Sequence, residues 1–191
     1  MTSKTSSIDD PSRPISYGNV IAREPTTGSE RLVVGPSQDA AGCLVRMASV
    51  LAGECHLLYV LHTTRTGAQL GRYQSSALNK AEYESFLQEF GRFLGEDSRH
   101  DVWLHSPSEG ATIVLDRHNL IFGYGPLAAF ERVLLEAGMC RGAVPRVPLP
   151  HLHHYHAQWD GHETAILGRL PWQVGPLHEE DRQWDSGEDA G

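Results

Sequence analysis

The chain has 191 residues, 40% of them hydrophobic and 21% charged, with a formal net charge of −8. That is ordinary globular material, enough for one buried core with small extensions. It holds no run near the roughly 18 apolar residues of a membrane helix, no apolar leader in Met1 to Ser7, and no basic cluster to neutralise phosphates. A cytoplasmic protein without membrane or nucleic-acid partners is therefore expected.

The charge is uneven. Residues 178–191 carry six acids against Arg182, so −5 of the −8 lies there and the remainder is nearly balanced. The three cysteines, Cys43, Cys55 and Cys140, form no CxxC pair, which argues against both a disulfide framework and a thiolate zinc site.

Residues 1–30, rich in Ser, Thr, Pro and Gly, read as a flexible N-terminal arm. Leu32-Val33-Val34 suits a short strand. A helix follows from Ser37, with Ala40, Leu44, Met47 and Leu51 at helical spacing and Gly53 at its end. His56 to His62, apolar on both faces, reads as a central strand, and Thr63 to Ala77 as a long polar loop.

Asn79 and Glu82 have capping-box spacing before the stripe Tyr83, Phe86, Leu87, Phe90, Phe93 and Leu94, which Gly95 should stop. Three strands are expected next, Asp101 to His105, Ala111 to Leu115 and Leu120 to Tyr124. The turns between them are Ser106 to Gly110 and Asp116-Arg117-His118-Asn119. Pro126 opens a helix with Leu127, Phe130, Val133 and Leu134 buried, and Gly138 closes it.

Three prolines keep Val144 to Pro150 extended, leading into an edge strand; Asp160 and Glu163 then look like a capping pair for a short helix ending before Pro171. The order predicts an α+β fold, a two-layer sandwich with a mostly antiparallel sheet, a central three-strand meander, and helices packed on one face. The domain spans 31–177, and 178–191 is expected to be an acidic disordered tail.

Chemistry concentrates in His151-Leu152-His153-His154-Tyr155-His156, four of the eleven histidines within six residues. In a strand, His151 and His153 share one face and His154 and His156 the other. The members of each pair are rooted about 6–7 Å apart, close enough to converge on one ion. A pair is half a site. Asp160 and His162 lie just downstream as candidate third ligands, and His56, His62, His105 and His118 sit at strand ends or turns, His105 being the more plausible of the strand-end residues. Zinc or another divalent transition metal fits such donors.

The loop holding Arg65 and Arg72 suits a carboxylate or phosphate, but it lacks the Gly-Lys-Ser/Thr ending of a nucleotide loop. Cys43 in the first turns of its helix is best read as packing. Two functions remain. One is a small protein-interaction or accessory protein, an inhibitor or immunity-type partner. The other is a metal-dependent hydrolase using a His-x-His pair.

Overall fold

Strict alternation builds the centre of the molecule. In the computed structural model, which describes residues 3–148 and 150–181, the expected meander is β6 (His100–Ser106), β7 (Ala111–Leu115) and β8 (Ile121–Tyr124). Leu104 pairs with Ile113 and Leu115 with Ile121, all four buried on one face. Around them lie β2 (Val20–Pro25), β3 (Glu30–Gly35), β4 (His56–Leu61), β5 (Gly71–Gln74), β9 (Cys140–Arg141) and β11 (Gln173–Gly175). The sheet order is β11-β5-β4-β6-β7-β8-β3-β2-β9, antiparallel throughout except for the short β2–β9 pair. The α+β prediction, a mostly antiparallel sheet with helices, is the fold that forms. No helix among the described residues is long and apolar enough to cross a membrane.

The helices α1 (Ala40–Val50), α2 (Lys80–Glu96) and α3 (Leu127–Glu136) pack on one sheet face. They lie so close that a Cβ at Gly123 would sit 2.7 Å from Met47 Cε. On α2 the Asn79–Glu82 capping box forms in both directions and the whole predicted stripe is buried. The helix runs one residue past Gly95, and Asp97 takes the C-cap. Asp39, not Ser37, caps α1, accepting the Gly42 N–H at 2.9 Å. The capping pair expected for α4 (Asp160–Arg169) does not form, because Glu163 turns inward to an arginine instead.

Three expectations from sequence change. The loop expected over 63–77 contains β5, which pairs with β4 and β11. Residues 3–25, read as part of a flexible arm, carry β1 (Thr5–Ser7) and β2, with Lys4, Thr5, Ser6, Tyr17 and Ile21 all buried. The histidine strand β10 (His151–His153) is not an edge of the main sheet; it pairs with β1 in a separate antiparallel ribbon. The segment Lys4-Thr5-Ser6 has no apolar pattern, so its burial comes from polar partners contributed by distant elements. Of the tail expected over 178–191, residues 182–191 lie outside the described residues.

The ribbon caps the end of the sheet where β4 and β7 finish and β6 and β8 begin. Lys4 Nζ donates to the Asp116 carbonyl at 2.8 Å, and the Lys4 carbonyl accepts from Ser98 Oγ at 2.8 Å and from the His154 N–H at 2.7 Å. Burial pushes the Lys4 ammonium down to about 8, against the attraction of Asp116, Asp101 and Asp97. Between pH 8 and the ordinary lysine value the unfolded chain holds a proton that the folded chain has lost, so this group makes stability rise with pH across that window. Urea unfolding should show the wild type gaining about 2 kcal/mol on Lys4→Met between pH 8 and pH 10. Parallel pH profiles for the two proteins would refute the assignment.

Candidate metal centre

The turn between β7 and β8 does two jobs with one carboxylate. Asp116 Oδ1 accepts the N–H groups of His118 and Leu120, both at 2.8 Å, and Asn119 takes a left-handed φ of 67° with its Nδ2 on the Gly95 carbonyl. These contacts make Asp-Arg-His-Asn a hairpin loop, as its residue types predict. The other oxygen, Asp116 Oδ2, stands 3.0 Å from His118 Nδ1 and fixes the ring.

β10 supplies two more imidazoles. His151 and His153 alternate onto one face, and Lys4, His154 and Ser98 hold their strand against the turn. The rings of His118, His151 and His153 lie 4.8–5.1 Å apart by centroid, and one ligand nitrogen from each lies within 4.8 Å of the others. All three residues are half-buried.

Counting protons assigns the tautomers. His151 Nδ1 faces the Pro148 carbonyl at 3.0 Å and must donate to it. Ser98 Oγ has one proton and faces the Lys4 and Arg117 carbonyls, so at its 3.1 Å contact with His153 Nδ1 it is the acceptor. His118 Nδ1 donates to Asp116. Each neutral ring is thus left with a bare Nε2, and the Nε2 atoms of His151 and His153 are 3.1 Å apart. Two facing lone pairs repel unless a cation lies between them. Tetrahedral ligand nitrogens at about 2.0–2.1 Å from zinc stand roughly 3.3–3.4 Å apart, close to this separation. The Asp116–His118 contact is the carboxylate–histidine arrangement that orients metal ligands.

Burial, followed by the charges of His118, His151, Arg117 and Lys4, holds His153 down to about 3. Burial also depresses His151, with His118 adding to it. Both rings therefore stay in the neutral, ligating form at physiological pH.

The other residues nominated from sequence lie elsewhere. The strand ends at His153, and His154 and His156 turn to the N-terminal segment, where their Nε2 atoms contact Ser6 Oγ at 2.8 Å and the Ser3 carbonyl at 3.0 Å. That second pair is a fastening. Asp160 contacts Arg65 and Arg99, each at 3.2 Å, and does not belong to the His118–His151–His153 group. His105 lies near the far end of β6, five strand positions from His100 and so roughly 16–17 Å from the strand end that the ribbon caps, with its Nδ1 on Thr112 Oγ1. Arg65 and Arg72, expected to suit an anion, face carboxylates, Asp160 and Asp181 respectively.

The third member, His118, is one of the several strand-end and turn histidines the sequence offers as third ligands; the feature that sets it apart is Asp116, a carboxylate two residues before it that fixes its ring. Cys43 is buried, and burial pushes its thiol up to about 11, which fits packing rather than nucleophilic chemistry.

Behind the ribbon lies a buried ion network. Arg99, with no side-chain exposure, forks onto Asp97 at 2.7 and 2.9 Å, reaches Glu163 at 2.5 Å, and donates to the His156 carbonyl at 3.1 Å. Asp97 also accepts the His156 N–H at 2.8 Å. Thr64 and Thr66 donate to the second oxygen of Glu163. Burial pushes the Glu163 carboxyl up, but these hydroxyls and Arg99 outweigh it and hold it below the usual range. The network ties α4 and the exit from β10 to the α2–β6 connection. Comparison with protein-family models, with curated proteins and with solved structures finds no match to this chain.

Proposed function

We propose that this chain binds a divalent transition metal through His118, His151 and His153, and that its chemistry is metal-assisted hydrolysis at the position those three ligands leave open. One observation carries the reading: each Nδ1 is taken by a neighbour, the proton-free Nε2 atoms of His151 and His153 face each other at 3.1 Å, and one nitrogen from each of the three rings lies within 4.8 Å of the others. A three-histidine site with an open fourth position is the arrangement in which zinc brings bound water to a pKa of about 7 and so generates a nucleophile at neutral pH. The site sits at the sheet's end, and its three histidines are half-buried.

Cobalt(II) titration of untagged protein tests this, because a tetrahedral cobalt centre has visible d–d bands. One equivalent should bind. His118→Ala and His153→Ala should each weaken binding at least ~100-fold, and Asp116→Asn by roughly 10–100-fold, the range for partners that orient ligands. The double variant His154→Ala/His156→Ala should keep the bands. Binding no tighter than micromolar, or triad variants that bind like wild type, would end the reading.

The accessory-protein alternative has one feature in its favour. The sheet face opposite the helix-packed residues presents half-buried Leu58, Trp103 and Phe122.

A further inference from the structure

The sheet face turned away from the helices gathers a second set of polar groups, at the end far from the ribbon. His56 stands directly opposite His105 across β4 and β6, and two positions along the same face Leu58 stands opposite Trp103. On β5, Gln74 is opposite Leu58 and Arg72 is opposite Val60. The Arg72 guanidinium lies over the Trp103 ring, 5.9 Å from its centroid. His56, Leu58, Arg72, Gln74, Trp103 and His105 line one groove of about 480 Å³. Small-ligand sites run from roughly 300 to 1,000 Å³ and combine an apolar floor with a few placed polar groups, which is the composition here.

The two ends of the groove differ chemically. Arg72 gives Nη1 alone to Asp181, at 2.8 and 2.9 Å to its two oxygens, and among the described residues its Nε and Nη2 make no hydrogen bond. Those two donors lie side by side in the planar fork that matches a carboxylate. At the other end His56 Nδ1 donates to the Ser75 carbonyl at 3.4 Å, which leaves Nε2 of the neutral ring as an acceptor. His105 Nδ1 is engaged by Thr112 Oγ1 at 2.9 Å. Among the described residues the two histidines have no third metal donor beside them, so the groove suits an organic ligand better than an ion. Arg72 and His56 sit at register positions four residues apart along β4, roughly 13 Å by strand rise. That leaves room for one aromatic ring with a polar group at each end and a hydrogen bond beyond each.

We propose that this groove binds a small aromatic carboxylate that carries a hydroxyl at the far end of its ring. The ring lies on Trp103 and Leu58, the carboxylate meets Arg72 Nε and Nη2, and the hydroxyl donates to His56 Nε2. Asp181 offsets part of the guanidinium charge, so the geometry of the fork, more than net charge, selects the ligand. The site is separate from the metal centre and binds its ligand without covalent chemistry.

The test is calorimetric titration of para-hydroxybenzoate into the full chain with chelator present, so that no metal ion can take the carboxylate. One equivalent should bind at millimolar concentration or below. The methyl ester should bind at least ~10-fold more weakly, the factor for one hydrogen bond to a charged group. Trp103→Leu should weaken binding by about 10-fold through lost stacking and contact. His56→Phe should remove the preference for para-hydroxybenzoate over benzoate while leaving benzoate affinity unchanged. Arg72→Gln should no longer distinguish acid from ester; because Arg72 also holds Asp181, the ester comparison on wild type carries the test if that variant does not fold. The proposal is overturned by absence of saturable binding at millimolar ligand, by equal affinity for acid and ester, by equal affinity in wild type and Trp103→Leu, or by an undiminished hydroxyl preference in His56→Phe.

Discussion

Replacing Arg99 by methionine should cost about 3–5 kcal/mol, the range for breaking a buried ion pair by removing one partner. The volume is nearly preserved, so the loss is electrostatic: Asp97 and Glu163, both fully buried, would keep their charges with no cation between them. For a domain of this size each kcal/mol moves Tm by roughly 2–4 °C, so a drop on the order of 10 °C or more is expected by calorimetry. Arg99→Lys should recover only part, because an ammonium cannot fork onto Asp97 while reaching Glu163 and the His156 carbonyl. Adding Glu163→Gln to Arg99→Met should be less than additive, since it removes one of the stranded charges. A loss below 1 kcal/mol would mean that water reaches this network and screens it. The effect should extend to the metal centre, because Arg99 and Asp97 fix both polar groups of the His156 backbone, three residues beyond His153.

Saturating zinc should raise Tm by about 5–10 °C. A ligand at a hundred times its Kd stabilises the folded state by ~2.7 kcal/mol, and the same size scaling converts that into temperature. The gain should be local as well as global. His151 and His153 belong to a ribbon whose other strand is Thr5–Ser7, while His118 belongs to the main sheet. An ion shared between them ties the ribbon to the sheet, so hydrogen exchange should slow most at the amides of β1, β10 and the His118 turn. His118→Ala should abolish the shift and the added protection together. A zinc-induced rise of the same size in His118→Ala would place binding elsewhere, on the His154/His156 side.

The helices were legible because their signals are local. A capping box needs only Asn79 and Glu82, and the α2 stripe needs only 3.6-residue spacing. The meander was legible for the same reason, since turn residues at fixed offsets separate alternating runs. α4 misled because Asp160 and Glu163 have cap spacing, and sequence spacing cannot show that a buried guanidinium 64 positions away competes for Glu163. The N-terminal segment misled in the opposite way. Lys4, Thr5 and Ser6 look like solvated chain, and their burial depends on acceptors from residues near 98, 116 and 154.

The histidine run divides along the same line. Alternation along a strand is a property of the backbone, so the sequence alone put His151 and His153 on one face. It also established the α+β fold and the absence of a thiolate metal motif. It did not decide which face carries chemistry. Ser3 and Ser6 take up His154 and His156, whereas Pro148 and Ser98 hold His151 and His153 with their Nε2 atoms inward. Nor did it select His118 over His105, because both sit at the ends of strands in the same meander. Tertiary structure chose between them by placing the ribbon at the end of the sheet where Asp116 turns the chain. Ligand convergence depends on the three-dimensional positions of residues more than thirty positions apart, which no local spacing encodes.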